Sequence, residues 1–475
     1  MTFFIRLTFH SLTYPHHFPI QKVKLFLGSL QLYDLENFEK CGVKIRYPKF
    51  VNIGQSYGQI IKMNFADKYI ITAASSRSTI MFFYNKAYEY QVCKIYTSSF
   101  TDFHRRREIS REAQALDNLR HPAMVQRYPA PQLPDLISGE KVIALDLISG
   151  GSLFDVLVQE ETGNPVKKWD FTQKVIVIYG IARFLNFLNQ PNERNYIYRD
   201  LKPHNVLLNH KLQPILCDFE TVKEENSGTN NTIVGTRYYS PPEQLCNNGH
   251  YNSSATVYSF GSTVFAMLTL KVPFLDCGLS EEAQNFPRMS NESIQKIGRP
   301  TIPSDIDPKY LSFVRLTEDC WKSPNERPTF AQINETIENI VNDEFDEDQQ
   351  ARFKKYKMYL DSFESAPGNL MTKIPKDGTF ENIKKAADKN IFFAKKIYAL
   401  ALAMGIDTEP NVEEAFNIYL EMAAKTNEEE YVTDIACHDF RSLASVYKFN
   451  AQNIHTFLDK YETENGLYDS RFSDD

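Results

Sequence analysis

The segment Tyr198-Arg-Asp-Leu-Lys-Pro-His-Asn205, followed by the apolar run Val206-Leu-Leu208, constrains this chain more than any other stretch. Thirteen residues after Asn205 comes Asp218-Phe-Glu220, directly behind a second apolar run, Ile215–Cys217. A polar loop thus carries Asp200 and, five residues on, the amide of Asn205, and a second carboxylate follows the next apolar strand. Asn205 and Asp218 are hard oxygen donors suited to Mg2+, which takes carboxylates together with substrate phosphates. Asp200 is left to accept a hydroxyl proton, and Lys202 to contact a transferring phosphoryl group. A lone aspartate in such a loop would be a solvated surface residue. The constellation carries the reading.

Composition narrows the classes around that core. With 42% apolar and 24% charged residues in a chain of 475, the profile is that of a folded globular protein of two to four units. A formal charge of −7 argues against non-specific nucleic-acid binding. The seven cysteines are widely spaced and form no CxxC pair, so zinc ribbons and disulfide frameworks are not expected and a reducing compartment is the simple reading. No apolar run approaches the ~18 residues that span a bilayer, and Arg6 and His10 interrupt the apolar start without a cleavage site behind them. A cytoplasmic protein without a membrane span is expected. Glycine is scarce, 19 of 475 residues, and none occurs from Gln59 through Ser138.

Along the chain, residues 1–65 show no clear period. Tyr69–Thr72, Thr79–Tyr84 and Tyr90–Tyr96 read as three strands, with Asn85-Lys86 as a turn. Ile109, Ala113, Leu116 and Leu119 have helical spacing, ended by His121-Pro122. Lys141–Ile148 reads as a buried strand broken by Ser149-Gly-Gly151, after which helices dominate. The acidic run Asn342–Asp348 reads as a solvated helix end or linker, and Ser365–Gly368 with Pro375–Gly378 marks a loop-rich boundary before a helical tail.

The 198–220 constellation resembles the catalytic loop and metal-binding motif of the eukaryotic protein kinase family, and other segments agree. Gly235-Thr-Arg-Tyr-Tyr-Ser-Pro-Pro-Glu243 resembles the end of an activation segment, which would put Thr236 beside Asp200 and pair Glu243 with Arg327. Val257–Gly261 resembles the buried helix of the large lobe, and Gly150–Leu153 the segment after the hinge. Leu145 would then be the gatekeeper and Asp146–Ile148 the adenine-facing hinge. Val92-Cys-Lys94 matches the strand lysine, and Glu112, ahead of His121-Pro122, the helix glutamate that pairs with it. The resemblance implies an α+β, bilobal fold with a small β-rich lobe and a large helical lobe. It implies ATP and Mg2+ as cofactors and a protein substrate. Asp200 and Lys202 would be catalytic, and Asn205 and Asp218 would hold the metal. Lys94, Glu112, Asp146 and Ile148 would bind nucleotide. Asp200-Leu-Lys-Pro and Gly235-Thr236 look like Ser/Thr specificity, and Cys320-Trp with Arg327-Pro328 is similar to the tyrosine-kinase-like group.

The sequence also departs from the family's pattern. Gly54-Gln-Ser-Tyr-Gly58 is one candidate phosphate loop, but Gly58 lies 36 residues before Lys94, where loop, strand, turn and strand need only about 15–25, so a second register is favoured. Counting back from Lys94 lands on Thr72–Thr79, which has no glycine, so Ser75 and Ser76 with Arg77 are the expected phosphate contacts. Glu220 replaces the glycine of Asp-Phe-Gly, Tyr198 the usual His, and Thr256 a buried Asp. Arg199 would support control by phosphorylation at Ser227, Thr229 or Thr232. In the tail, Ala386 and Ala423 recur 37 residues apart within helices Phe392–Met404 and Val412–Ala424 and the segments flanking them, which looks like about one and a half Sel-one-like repeats or a plain helical hairpin. His438 and His455 read as ordinary histidines. The expected division is an N-terminal extension at 1–65, a kinase domain at 66–344, a linker at 345–380 and an α-helical repeat-like tail at 381–475. The alternative to a kinase is a pseudokinase scaffold that binds partners through the kinase fold and the tail.

Overall fold

Strand β3 (Glu89–Tyr96) sets up the smaller layer. Its alternation puts Tyr90, Val92, Lys94 and Tyr96 on one face, and all four are buried. Around it an antiparallel five-stranded sheet runs in the order β1-β2-β3-β5-β4, with β1 at Tyr69–Ala74, β2 at Ser78–Asn85, β4 at Arg127–Tyr128 and β5 at Val142–Asp146. The register pairs Lys94 with Ile80 on one side and Ile143 on the other, so the lysine sits mid-sheet. Helix α1 (Phe103–Asn118) follows β3 and packs on β4, burying Glu112, Ala115 and Leu116, with Leu119 buried just past its end. It starts six residues before the apolar period that predicts it at Ile109.

The computed structural model describes residues 69–74, 78–85, 89–96, 103–128, 142–190, 196–224, 236–246, 252–274, 299–364, 374–424, 457, 458 and 461. Expectations for residues 1–65, for Ser75, Ser76 and Arg77, for Ser227, Thr229 and Thr232, and for His438 and His455 fall outside these residues.

After β5 the chain passes to the larger, helical lobe. Helix α2 (Leu153–Glu161) starts on a capping box in which Ser152 and Asp155 satisfy each other's backbone donors. Helix α3 (Phe171–Leu188) is capped by Asp170 and is the centre of the lobe. It corrects one sequence expectation: α3 is long and apolar enough to cross a bilayer, yet 78% of it is buried within the lobe. Its hydrophobicity reflects neighbours on every side, because a helix apolar all round is a core helix when surrounded by protein. Among those neighbours are α5 (Ser254–Thr269), which follows the short α4 (Pro242–Cys246) and is buried from Ala255 through Leu268, and α7 (Phe330–Glu344), which starts on a Thr329–Gln332 capping box. Between them lies α6 (Leu311–Cys320).

Within the stretch read as a linker, an 18-residue helix, α8 (Glu347–Glu364), packs against α3. Its acidic first turn suits a helix N-terminus, and Phe353, Tyr356 and Leu360 supply the buried face. The tail contains α9 (Phe380–Ala387), α10 (Phe392–Met404) and α11 (Val412–Ala424), the last two with the bounds their periodicity predicts. Ala386 and Ala423 are buried, so small residues sit where these helices meet.

Candidate active site

Two short sheets place the polar side chains. Strands β7 (Val206–Leu208) and β8 (Pro214–Leu216) pair antiparallel, and Cys217 N donates to Asn205 O (3.0 Å). That bond sets Asn205 beside the residue preceding Asp218. A second pair, β6 (Tyr196–Ile197) with β9 (Lys223–Glu224), holds the loop on either side.

The loop backbone is held by side chains. Three successive carbonyls each receive a donor: Tyr198 O from Thr256 Oγ1 (3.3 Å), Arg199 O from Gln244 Nε2 (3.2 Å) and Asp200 O from Asn205 Nδ2 (2.8 Å). Thr256, where the sequence lacks a buried Asp, therefore braces the loop with one neutral bond. Tyr198 spans the gap from the other side: its hydroxyl donates to Cys217 O, and its ring meets Phe219 edge-on at 5.6 Å. Phe219 in turn meets Phe184 of α3 edge-on at 6.1 Å. Such aromatic contacts tie the loop to the core helix.

At the tip, Asp200 holds a hydroxyl and an ammonium at once. Thr236 Oγ1 donates to Asp200 Oδ1 (2.9 Å), Lys202 Nζ to Asp200 Oδ2 (2.7 Å), and Lys202 Nζ also to Thr236 Oγ1 (2.6 Å). Asn205 Nδ2 gives a further bond to Asp200 Oδ2 (3.1 Å). Because its amide nitrogen is spent on Asp200, the oxygen of Asn205 is the atom it can offer to a cation.

A second cluster centres on Lys94, whose side chain is fully buried. Its ammonium lies 3.0 and 3.1 Å from the two oxygens of Glu112, 3.1 Å from Asp218 Oδ1 and 3.5 Å from Glu220 Oε2. Burial pushes the Lys94 ammonium down, but Asp218 and Glu112 outweigh it and hold its pKa well above the ordinary value. Burial likewise pushes Asp218 up, and Lys94 and Lys202 overcome it, so this carboxyl stays ionised below its ordinary pKa. Asp218 also has φ of +63°, in the left-handed region, which turns the chain sharply between β8 and Phe219. Hard oxygens on Asp218 and Asn205, with Asp218 held ionised, fit Mg2+.

The remaining expected residues divide. Leu145, Asp146 and Ile148 lie at the end of β5 and in the connection to the helical lobe, all buried. The Asp146 carboxylate, however, faces away from the Lys94 cluster: it accepts from Asp377 N (2.8 Å) and Gly378 N (3.3 Å) of the tail. Its side chain is thus occupied by the tail, which leaves the Asp146 main chain on the connection. Burial pushes its carboxyl up to about 7, with the Asp377 amide pulling it back. Sequence reasoning missed four contributors: Tyr96, whose hydroxyl donates to Glu112, Gln244, and the tail residues Asp377 and Gly378. Tyr96 could have been found, since two residues past Lys94 on a strand it shares that lysine's face. No sequence signal marked Gln244 or Asp377.

Residues 77–337 match the family described as "Protein kinase domain". A Dictyostelium discoideum protein named "Probable serine/threonine-protein kinase" is 29% identical over 245 residues, covering 51% of this chain and 37% of the relative. The Arabidopsis thaliana serine/threonine-protein kinase CTR1 is 28% identical over 245 residues, 50% of this chain and 28% of the relative. A leucine-rich repeat receptor-like protein kinase from the same plant, with the word inactive in its name, is 26% identical over 248 residues, 49% of this chain and 23% of the relative. The chain thus spans well under half the length of each.

Proposed function

That the chain belongs to the protein kinase family is the premise from which we propose a serine/threonine kinase, moving the γ-phosphoryl group of ATP to a protein hydroxyl. The observation that carries this is the Asp200 tip. Its carboxylate already accepts from a threonine hydroxyl at 2.9 Å, within the ~2.6–3.2 Å that general-base transfer needs.

In the proposed reaction the acceptor hydroxyl oxygen attacks the γ-phosphorus and its proton passes to Asp200. The bond from γ-phosphorus to the bridging oxygen breaks, and ADP leaves with the electron pair. Lys202, 2.7 Å from Asp200, steadies negative charge on the phosphoryl group in flight. Lys94, fixed by Glu112, engages the α- and β-phosphates. Mg2+, held by Asn205 and Asp218, would neutralise charge on the nucleotide phosphates. Ser75 and Ser76 remain the proposed side-chain contacts that replace loop glycines, and the Ile148 main chain the adenine contact. Arg199, whose Nε donates to Thr221 O (2.5 Å), is the proposed partner for a phosphate on the activation segment.

For the flanks we keep the division 1–65, 66–344, 345–380 and 381–475, with α8 inside the third segment. The tail fits a short Sel-one-like array through its buried Ala386 and Ala423, and Cys320-Trp321 fits a tyrosine-kinase-like affinity. Protein partners on the tail are part of the same proposal.

Glu220 gives this reading a distinctive test. It puts a third carboxylate on the ammonium that phosphates must reach. Glu220→Gly should tighten Mg-ATP about fivefold, the equivalent of ~1 kcal/mol for one partly exposed ion pair. Isothermal titration checks this, and weaker binding in the variant would show that Glu220 helps to hold the nucleotide. If the wild-type chain binds no Mg-ATP, the scaffold reading takes over.

A further inference from the structure

The segment ahead of α9 crosses the connection between the two lobes and bonds to both. From the small lobe, Tyr90 N of β3 donates to Gly378 O (3.1 Å). From the connection itself, Ser149 N donates to Asp377 Oδ2 (2.7 Å), while the carboxylate of Asp146 accepts the amides of Asp377 and Gly378. From the large lobe, His210 in the β7–β8 turn gives Asp377 Oδ1 two bonds, from its main-chain N (3.3 Å) and its ring Nδ1 (2.5 Å). One side chain thus joins the interlobe connection to the turn between β7 and β8, the strands flanked by Asn205 and Asp218.

The fit leaves no slack. A Cβ on Gly378 would lie 2.4 Å from Tyr90 O and 3.0 Å from Asp146 Oδ1, so a larger residue cannot occupy this position without moving β3 or the connection. Asp146 and Asp377 are both buried, and each carboxylate accepts from donors across the contact. The helices behind extend the grip. Gln159 of α2 bonds Asn390 O (2.8 Å) and Phe392 N (3.0 Å), and the Phe393 side chain lies against Gly151, which has φ of +69°.

We propose that Asp377 is a positioning residue for the nucleotide cleft, clamping the interlobe connection from behind so that cleft geometry depends on a docked tail. This rests on the reading of the cleft as a nucleotide site. The clamp touches no nucleotide. It fixes the main chain from Asp146 to Ser149, which carries Ile148, and its link to β3 reaches the strand that carries Lys94. Loss of the clamp should therefore weaken nucleotide binding while sparing the transfer step once nucleotide is saturating.

The test uses the full chain with Asp377→Ala, Asp377→Asn and Gly378→Val. It measures hydrogen exchange at Tyr90 and Ser149 without nucleotide, then Mg-ATP affinity, KM for ATP and kcat. Asp377→Ala should raise exchange at both amides by about tenfold or more and raise KM by a similar factor, with kcat within about twofold. Asp377→Asn keeps one acceptor oxygen and should fall between, a partial rescue. Gly378→Val should reproduce the Ala variant through the steric route, and it carries the test if Asp377→Ala does not fold. Unchanged exchange, or faster exchange with unchanged nucleotide affinity, would overturn the proposal. If wild type binds no Mg-ATP, the nucleotide reading fails separately. Exchange then decides the clamp alone: faster upholds it, unchanged overturns it.

Discussion

Asp200→Asn should lower kcat for phosphoryl transfer by about 10²–10⁴-fold, the usual contribution of a positioned general base. Mg-ATP affinity should stay within about twofold of wild type, because Asp200 itself is assigned no metal or nucleotide contact and Asn205 keeps its bond to the Asp200 main-chain oxygen. The substitution keeps size but replaces one of the two acceptor oxygens by a donor and removes the base. In wild type those two oxygens serve different partners, Oδ1 taking the Thr236 hydroxyl and Oδ2 taking Lys202 and Asn205. An amide cannot match that pattern without setting a donor against Lys202 or Thr236. A matched pair of titrations, nucleotide binding and steady-state transfer, separates loss of the base from loss of the site. Equal kcat in both proteins would remove Asp200 from the chemistry.

The second large effect concerns folding. Arg327 Nη1 and Nη2 grip the two oxygens of Glu243 at 2.5 and 3.1 Å. The same guanidinium also donates to Ser254 O (3.0 Å) and Lys322 O (2.8 Å) and lies over the Tyr258 ring at 5.2 Å. With the Arg327 side chain only 2% exposed, Arg327→Ala would strand the Glu243 carboxylate and the Ser254 carbonyl in a poorly solvated place. The expected cost is ~3–5 kcal/mol. Arg327→Lys should recover only part of it, since an ammonium cannot reproduce the two-pronged grip. Urea unfolding of the three proteins measures both, and a loss under about 1 kcal/mol for Arg327→Ala would show the pair is dispensable.

What could be seen in the sequence follows from how local each feature is. The 198–220 motif was legible because its polar residues sit at fixed distances from two apolar strands, and backbone pairing then fixes where Asn205 and Asp218 go. Lys94 and Glu112 were legible by register from His121-Pro122, and the structure brings them together at 3.0 Å. Helix α8 was not legible, because an acidic start and a basic middle hide three inward residues among eighteen. The missing breadth of the Asp146 reading has another cause. Its carboxylate meets Asp377 across 231 residues of sequence, and nothing local marks one aspartate of a Lys-Asp-Gly turn as a partner for the lobe connection. The glycine gap, read from composition, falls on the small lobe that carries Lys94. There β1 and β2 are joined by only three residues, Ser75 to Arg77.

Transfer of phosphate to a serine or threonine hydroxyl through Asp200 leaves a covalent product that can be mapped. The most direct measurement is mass-spectrometric mapping of phosphate on the chain itself and on an added protein acceptor after incubation with Mg-ATP. Wild type and Asp200→Asn are run in parallel, and nucleotide binding is measured on the same samples. The account predicts phosphoserine or phosphothreonine with wild type, abolished when EDTA removes Mg2+ and reduced to background in Asp200→Asn. Nucleotide binding with no phosphate above that background, or phosphate appearing equally with both proteins, would contradict it.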